Sequence, residues 1–359
     1  MILKNGASGL WKAGTISKNI SAGRPAKGYW HKYMEMENNK SRQETVAAIT
    51  VTYNRTRTLE KCIDALLNQT RPVDYIIIAD NHSCEEEQEK IRKIAAKSHK
   101  IKLLFLDENR GGAGGFEAGM REAKKLAPDW YWLMDDDALS KKRLPGNFIG
   151  YRKELPDVGG LCPLIYGIDL KHYQLFHHKK LSRFMMKNSP VVRDADQLKA
   201  VTEEDANAFV GPLFPGKVVD ELGIADGSLF IYGDDSEYTR RVSGKHKLYL
   251  IRDAVIDHQD APVLDANMTP AGWWKEYYCN RNQYFMIREF QENKLVRWFS
   301  FGLLTARLMA IIVKSKLKGY HRLRSQLIIK AVKDGLGNKR GKVIDPQRYF
   351  AYLKEHGLE

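Results

Sequence analysis

Trp130-Tyr131-Trp132-Leu133-Met134-Asp135-Asp136-Asp137 is the stretch that decides how the rest of the chain is read. Five apolar residues in a row suit a strand buried on both faces. Three carboxylates at its end put acids where the strand leaves the sheet. Open α/β folds bind ligands outside the carboxyl ends of their strands. Adjacent like charges repel, so the pattern calls for a shared cation. Hard divalent ions such as Mg²⁺ and Mn²⁺ favour carboxylate oxygens and phosphates. An acidic surface turn has the same composition, and the triplet alone does not separate the two.

The residues upstream repeat the strand pattern. Thr45–Tyr53 (TVAAITVTY), Tyr75–Asp80 (YIIIAD) and Ile101–Leu106 read as buried strands. Leu59, Cys62, Ile63, Leu66 and Leu67 recur at helical spacing across Thr56–Asn68, and Arg71-Pro72 closes that segment. Ser83 and Glu86 have capping-box spacing ahead of a helix to about Lys97. Gly114–Leu126 reads as a third helix. Such alternation implies right-handed crossovers and a mostly parallel sheet. Every strand then ends on one edge, which brings Tyr53-Asn54, Asp80 and Asp135 together. Beyond Asp137 the alternation stops. Residues 155–260 mix short apolar runs with loops, and 273–330 read as mainly helical.

A chain of 359 residues with 43% hydrophobic content can bury a large core. Its four cysteines are scattered, with no CxxC pair, which fits a reducing compartment and argues against a zinc site or disulfide framework. The net charge of +14 is concentrated at the ends. Residues 1–42 carry eight Lys/Arg against two Glu, and residues 294–340 carry twelve against one Asp. Basic ends attract anionic lipid or nucleic acid. A nucleic-acid-binding protein would account for the charge but not for the acidic edge. No secretory signal is visible. No run reaches the ~18 consecutive apolar residues of a spanning helix. The nearest, Phe299–Val313, is interrupted by Arg307. Lys314, Lys316, Lys318, Arg322 and Arg324 follow that run, as in an interfacial anchor, although a core helix followed by a solvated one has the same pattern.

Further motifs each have two readings. Asp80 can accept hydrogen bonds from a base or ribose, or belong to a helix-capping turn. Asn109–Met120 (NRGGAGGFEAGM) has four glycines in five positions, which allows either close ligand approach or tight helix–sheet packing. Glu117 stands where a dinucleotide fingerprint needs its third glycine, so a nicotinamide or flavin site is set aside. Asp234-Asp235 follows the apolar run Leu229–Tyr232 and can supply a general base. Trp273, Trp274, Tyr277, Tyr278, Arg281, Tyr284, Phe285 and Arg288 form a stripe at helical spacing, either core or the wall of a sugar-phosphate site.

Taken in order over Thr45 to Arg288, these segments resemble the inverting glycosyltransferases of family 2. The resemblance implies an α/β GT-A fold: a Rossmann-like, mostly parallel sheet flanked by helices, with a mainly helical C-terminal region. NRGGAGGFEAGM and LMDDD (Leu133–Asp137) are similar to the bacterial galactofuranosyltransferases, which use UDP-galactofuranose. Rhamnosyltransferases using dTDP-rhamnose share part of the pattern. Gly233 stands where the galactofuranosyltransferases often carry Trp. The implied organisation is a basic leader over 1–43, a nucleotide-sugar and catalytic domain over 44–265, and a helical basic region over 266–359.

By the same resemblance, Asp135, Asp137 and His258 ligate Mn²⁺ or Mg²⁺. Asp235 is the catalytic base, and Asp234, Trp273 and Trp274 support it or contact the acceptor. Thr52, Asn54, Arg55, Asp80, Asn109, Gly111, Gly112, Asp136 and Arg281 contact the nucleotide sugar. The implied partners are a nucleotide-sugar donor, a polyprenyl-diphosphate-linked glycan acceptor and the anionic inner face of the cell membrane, with no nucleic acid. A nucleotidyltransferase also pairs carboxylates with metal and nucleotide, and remains the rival enzyme class.

Overall fold

The computed structural model describes residues 43–167, 173–181, 188–192, 195–259, 269–317 and 322–358. The chain divides into two compact units, Met1–Gln43 and Glu44–Glu359. The expected leader therefore falls, apart from Gln43, outside the described residues.

The first half alternates strand and helix: β1 Val46–Thr52, α1 Thr56–Leu67, β2 Tyr75–Asp80, α2 Glu85–Ala95, β3 Ile101–Phe105, α3 Gly111–Lys124 and β4 Trp130–Asp135. β1 lies parallel to β2 and β4, and β2 parallel to β3. Alternate strand residues face opposite cores. Ala48, Ile76, Trp130 and Trp132 meet Leu59, Ile63 and Ile91 of α1 and α2. Ala47, Ile49, Tyr131 and Leu133 meet Phe116 and Met120 of α3. Burial on both faces explains the near-continuous apolar runs. Thr52 is in register with Asp80, and Val51 with Asp135, so the acids do share one edge.

Two local expectations change. α3 begins at Gly111 rather than Gly114, so the glycines form its first turns. A Cβ on Gly115 would stand 2.3 Å from Val51 Cγ1. Close approach to β1 thus outweighs the ~1 kcal/mol that glycine costs a helix. Ser83 does not form a capping box either. The residue preceding α2 is Cys84, and the Ser83 hydroxyl accepts the Asn54 backbone N–H at 2.8 Å.

Past the acidic triplet come β5 Ala138–Ser140, α4 Leu144–Arg152, β6 Val158–Gly167, β7 Lys179–Leu181, β8 Asn188–Pro190, β9 Val201–Glu204, β10 Leu213–Pro215, α5 Gly216–Leu222, α6 Asp234–Ser243 and β11 Lys247–His258. The main sheet runs β3-β2-β1-β4-β10-β6-β11-β5, with β9 paired to β11. β10 is antiparallel to both neighbours, while β6 and β11 are parallel. β7 and β8 pair separately. β5 turns back from the triplet and pairs antiparallel with the end of β11, setting His258 opposite Ala138.

Four helices close the chain: α7 Trp273–Phe290, α8 Lys294–Leu317, α9 Arg322–Leu336 and α10 Pro346–Glu355. They belong to the same compact unit as the sheet. Over Lys294–Lys314, α8 has mean hydropathy 1.6 and is long and apolar enough to cross a membrane by length and composition, despite Arg307. Phe301, Leu304, Leu308 and Ile312 pack against α7 and α9. Leu295, Trp298, Phe299, Leu303 and Val313 stay exposed.

Candidate active site

The acids at the end of β4 have different surroundings. Asp136 is buried, accepts the Thr52 hydroxyl at 2.7 Å and pairs with Arg55 Nη1 at 3.1 Å. Burial pushes its carboxyl up to about 6, against the pull of Arg55. Asp137 is buried too and takes the other arm of the Arg55 guanidinium. Burial opposes its charge, but His258 and Arg55 together hold it below the usual carboxylate range. The Asp135 side chain keeps 41% of its surface open. Partial loss of water around it, then the charge of Asp137, raises its carboxyl well above normal. Arg55 is thus one cation that the triplet shares.

His258 arrives on β11, far along the chain. Its Nε2 lies 3.2 Å from Asp137 Oδ1 and 3.7 Å from Asp135 Oδ2. One ligand atom from each of Asp135, Asp137 and His258 falls within 4.8 Å of the others. On the far side of the ring, Nδ1 lies 3.1 Å from Gln174 Oε1, which also meets His177 Nε2 at 2.9 Å. A carbonyl oxygen accepts, so Nδ1 donates to Gln174 and Nε2 faces the carboxylates. Asp137 Oδ1 is moreover buried with no hydrogen-bond donor. Two carboxylates and an imidazole suit a divalent ion.

A second acidic pair, Asp234-Asp235, starts α6. Asp234 acts electrostatically on Asp135, so the two acidic groups share one neighbourhood. Burial, then Asp235, pushes the Asp234 carboxyl up to about 7. Asp235 lines an open cleft together with Tyr232 and Gly233. The loop before the pair is strained: Phe230 and Tyr232 have φ of 69° and 64°, values unusual for bulky residues. Asn282 of α7 braces this loop, its Nδ2 lying 3.1, 3.0 and 2.7 Å from the carbonyls of Leu229, Ile231 and Tyr232.

Several expected ligand contacts are committed elsewhere. Arg281 is fully buried and donates to the Leu229 and Gly341 carbonyls and to Asn282 Oδ1. Its donors point into the protein, so it holds the loop rather than a phosphate. Trp273 and Trp274 are buried in an aromatic cluster with Phe230, Tyr277 and Tyr278, not presented to an acceptor. Of the two readings of the stripe, the core reading describes these three residues. Asp80 is buried and accepts the Ser83 backbone N–H. Asn54 Oδ1 accepts the Cys84 N–H at 2.8 Å, and Asn109 Oδ1 accepts the Gly111 N–H at 2.9 Å. Gly111 has φ of +71°, and a Cβ there would overlap the Phe230 carbonyl, so only glycine fits. A Cβ on Gly112 would meet nothing within 4 Å.

Gln174, His177 and Asn282 carry structure at this site that sequence reasoning did not single out. Gln174 and His177 lie where the periodicity fails. Asn282 adjoins Arg281 on the aromatic stripe, and that adjacency was the one available signal.

A family model described as "Glycosyl transferase family 2" matches residues 47–204. The chain is 28% identical over 273 residues to galactofuranosyltransferase GlfT1 of Mycobacterium tuberculosis, covering 72% of this chain and 88% of that protein. It is 26% identical to GlfT1 of Mycolicibacterium smegmatis, covering 72% and 89%. Among solved structures, a mannosyltransferase from Pyrobaculum calidifontis in complex with GDP-Man and Mn²⁺ superposes with TM-score 0.51 at 14% identity, covering 86% of this chain and 95% of that one. GalNAc-T7 with UDP, GalNAc and Mn²⁺ gives TM-score 0.50 at 14% identity, covering 68% and 51%. Residues 47–204 therefore carry a glycosyl transferase family 2 domain, and the chain is a glycosyltransferase with a GT-A fold.

Proposed function

We propose that this enzyme is a metal-dependent, inverting galactofuranosyltransferase that moves galactofuranose from UDP-galactofuranose to a lipid-linked glycan. The observation that carries the reading is the Asp135–Asp137–His258 cluster beside the Asp234–Asp235 pair. The donor assignment draws on the similarity to the mycobacterial galactofuranosyltransferases. A divalent ion, Mn²⁺ or Mg²⁺, held by Asp135, Asp137 and His258 would neutralise charge on the departing diphosphate.

An acceptor hydroxyl is a poor nucleophile until its proton is removed. Asp235 takes that proton as the oxygen attacks the anomeric carbon. The bond to the nucleoside diphosphate breaks on the opposite face, so configuration inverts. Asp234, next to Asp235, tunes the base by its own charge. Arg55 and Thr52 orient Asp136 and Asp137 beneath the donor. Gly112 leaves room for the donor to approach the start of α3, where the positive end of the helix dipole favours anions.

The exposed apolar side of α8 and the cations around it support a peripheral location on an anionic membrane face, the cytoplasmic one in this reading. Lack of affinity for phosphatidylglycerol vesicles at low salt would remove that element.

The deciding experiment is a donor panel with Mn²⁺: UDP-galactofuranose, UDP-galactopyranose and dTDP-rhamnose, each with wild type and Asp137→Ala. Transfer from UDP-galactofuranose that is lost in the variant supports the reading. Preference for dTDP-rhamnose would make the enzyme a rhamnosyltransferase. Transfer of the nucleotide to a sugar phosphate would overturn it altogether.

A further inference from the structure

A cleft of about 710 Å³ opens beside Asp235, between α6, α7 and α8. Its lining has two characters. Lys179, Arg240 and Arg307 supply three cations, against Asp235 as the single carboxylate. Met286, Leu303 and Leu304 supply an apolar wall. Lys179 Nζ donates to Ser236 Oγ at 3.0 Å, at the start of the helix that carries Asp235. The Arg240 guanidinium stacks on the Phe290 ring at 4.6 Å. Among the described residues, neither Lys179 nor Arg307 forms an ion pair with a carboxylate. Both act electrostatically on the Cys279 thiol, which also lines the cleft, so the two charges share one space. Clefts lined by charge of one sign concentrate counter-ions.

The apolar wall continues outside. Leu295, Phe299, Leu303 and Arg307 follow one another at four-residue spacing on α8, so they form one row. The row runs from the cleft to Leu295, which is 83% exposed. A molecule with an anionic group and a hydrocarbon tail would match both parts at once.

We propose that Lys179 and Arg307 bind a phosphate or diphosphate group of an amphiphilic acceptor, whose hydrocarbon lies on Met286 and Leu303 and leaves along the Leu303–Phe299–Leu295 row. The proposal rests on the reading of Asp235 as the base, because the subsite then holds the acceptor's anion at a set distance from the reacting hydroxyl. Phosphate oxygens accept charge-assisted hydrogen bonds from both cations.

The test uses the full-length protein with UDP and Mn²⁺ saturating the donor site. Binding of farnesyl diphosphate, farnesol and inorganic diphosphate is compared by calorimetry. Farnesyl diphosphate should bind at least about tenfold tighter than either fragment, since both contacts are made together. Lys179→Ala and Arg307→Ala should each weaken farnesyl diphosphate about tenfold and leave farnesol unchanged. Leu303→Ser should weaken farnesol and spare inorganic diphosphate. Equal affinity for farnesol and farnesyl diphosphate, or an unaltered double variant, would overturn the proposal. Tight inorganic diphosphate with no gain from the tail would mean a free-phosphate site and would overturn the amphiphile. UDP binding is measured in the same samples. Its failure would sink the UDP-galactofuranose donor reading, whereas amphiphile failure with intact UDP binding sinks only the subsite.

Discussion

Gln174 Oε1 sits 3.1 Å from Nδ1 of His258 and so decides which ring nitrogen faces the carboxylates. Partners of this kind fix the tautomer and raise the basicity of a ligating imidazole. Gln174→Ala should weaken Mn²⁺ binding on the order of 10–100-fold, measured by electron paramagnetic resonance without substrate. Gln174→Glu, which keeps an acceptor, should retain most of the affinity. Equal Mn²⁺ affinity in wild type and Gln174→Ala would show that the contact orients nothing.

Asp235 faces the open cleft, and Asp234 is buried behind it. Asp235→Asn should lower kcat by about 10²–10⁴ while UDP binding stays intact. The check is single-turnover transfer alongside calorimetry with UDP. Undiminished turnover would remove Asp235 from the base role.

Asn282 holds three carbonyls of the loop that leads into the acidic pair. In Asn282→Ala those carbonyls lose a buried donor, at a cost of about 1–3 kcal/mol. The positive-φ residues Phe230 and Tyr232 can then relax, which displaces Asp235. A lower melting temperature together with a kcat loss larger than any change in donor KM is expected. Normal kcat in a correctly folded variant would make the bracing irrelevant to catalysis.

His246 bridges Asp157 at 2.7 Å and Glu221 at 2.9 Å. The Asp157 contact, helped by Glu221, raises its pKa above 6.5. The folded state therefore holds this proton more tightly than the unfolded chain. The stabilisation is complete below about 6.5 and fades as pH rises through the raised folded value. His246→Gln should cost about 0.5–1 kcal/mol on the acid side and little at alkaline pH. Urea titrations across that range read it out, and a pH-independent loss would contradict the linkage.

The parallel half of the sheet was legible because strands buried on both faces must be apolar throughout, as Tyr75–Asp80 and Trp130–Met134 are. That also put Asp80 and Asp135 on one edge. Helix starts were less legible. Ser83 has the right spacing for a cap, yet its hydroxyl serves Asn54 across the edge. Such a contact depends on tertiary placement. The aromatic stripe could be placed on a helix but not oriented by composition, and Arg281 turned inward to meet backbone carbonyls. Gln174 and Asn282 escaped notice because an amide gains its role from what folding puts beside it.

The pairing of β5 with the end of β11 has a consequence for how the ligand set is encoded. Strand side chains alternate faces, so a slip of one residue would exchange His258 for Asp257 beside the triplet. β11 runs in step with β6 on both sides of an irregularity between Ile251 and Val255. That irregularity works as a phase counter. A one-residue insertion inside it that held the Leu248–Ile251 pairing and slid the rest of β11 would set Asp257 where His258 stands, a third carboxylate instead of an imidazole. The change would shift preference toward oxygen-seeking ions such as Mg²⁺ with no substitution at any ligand.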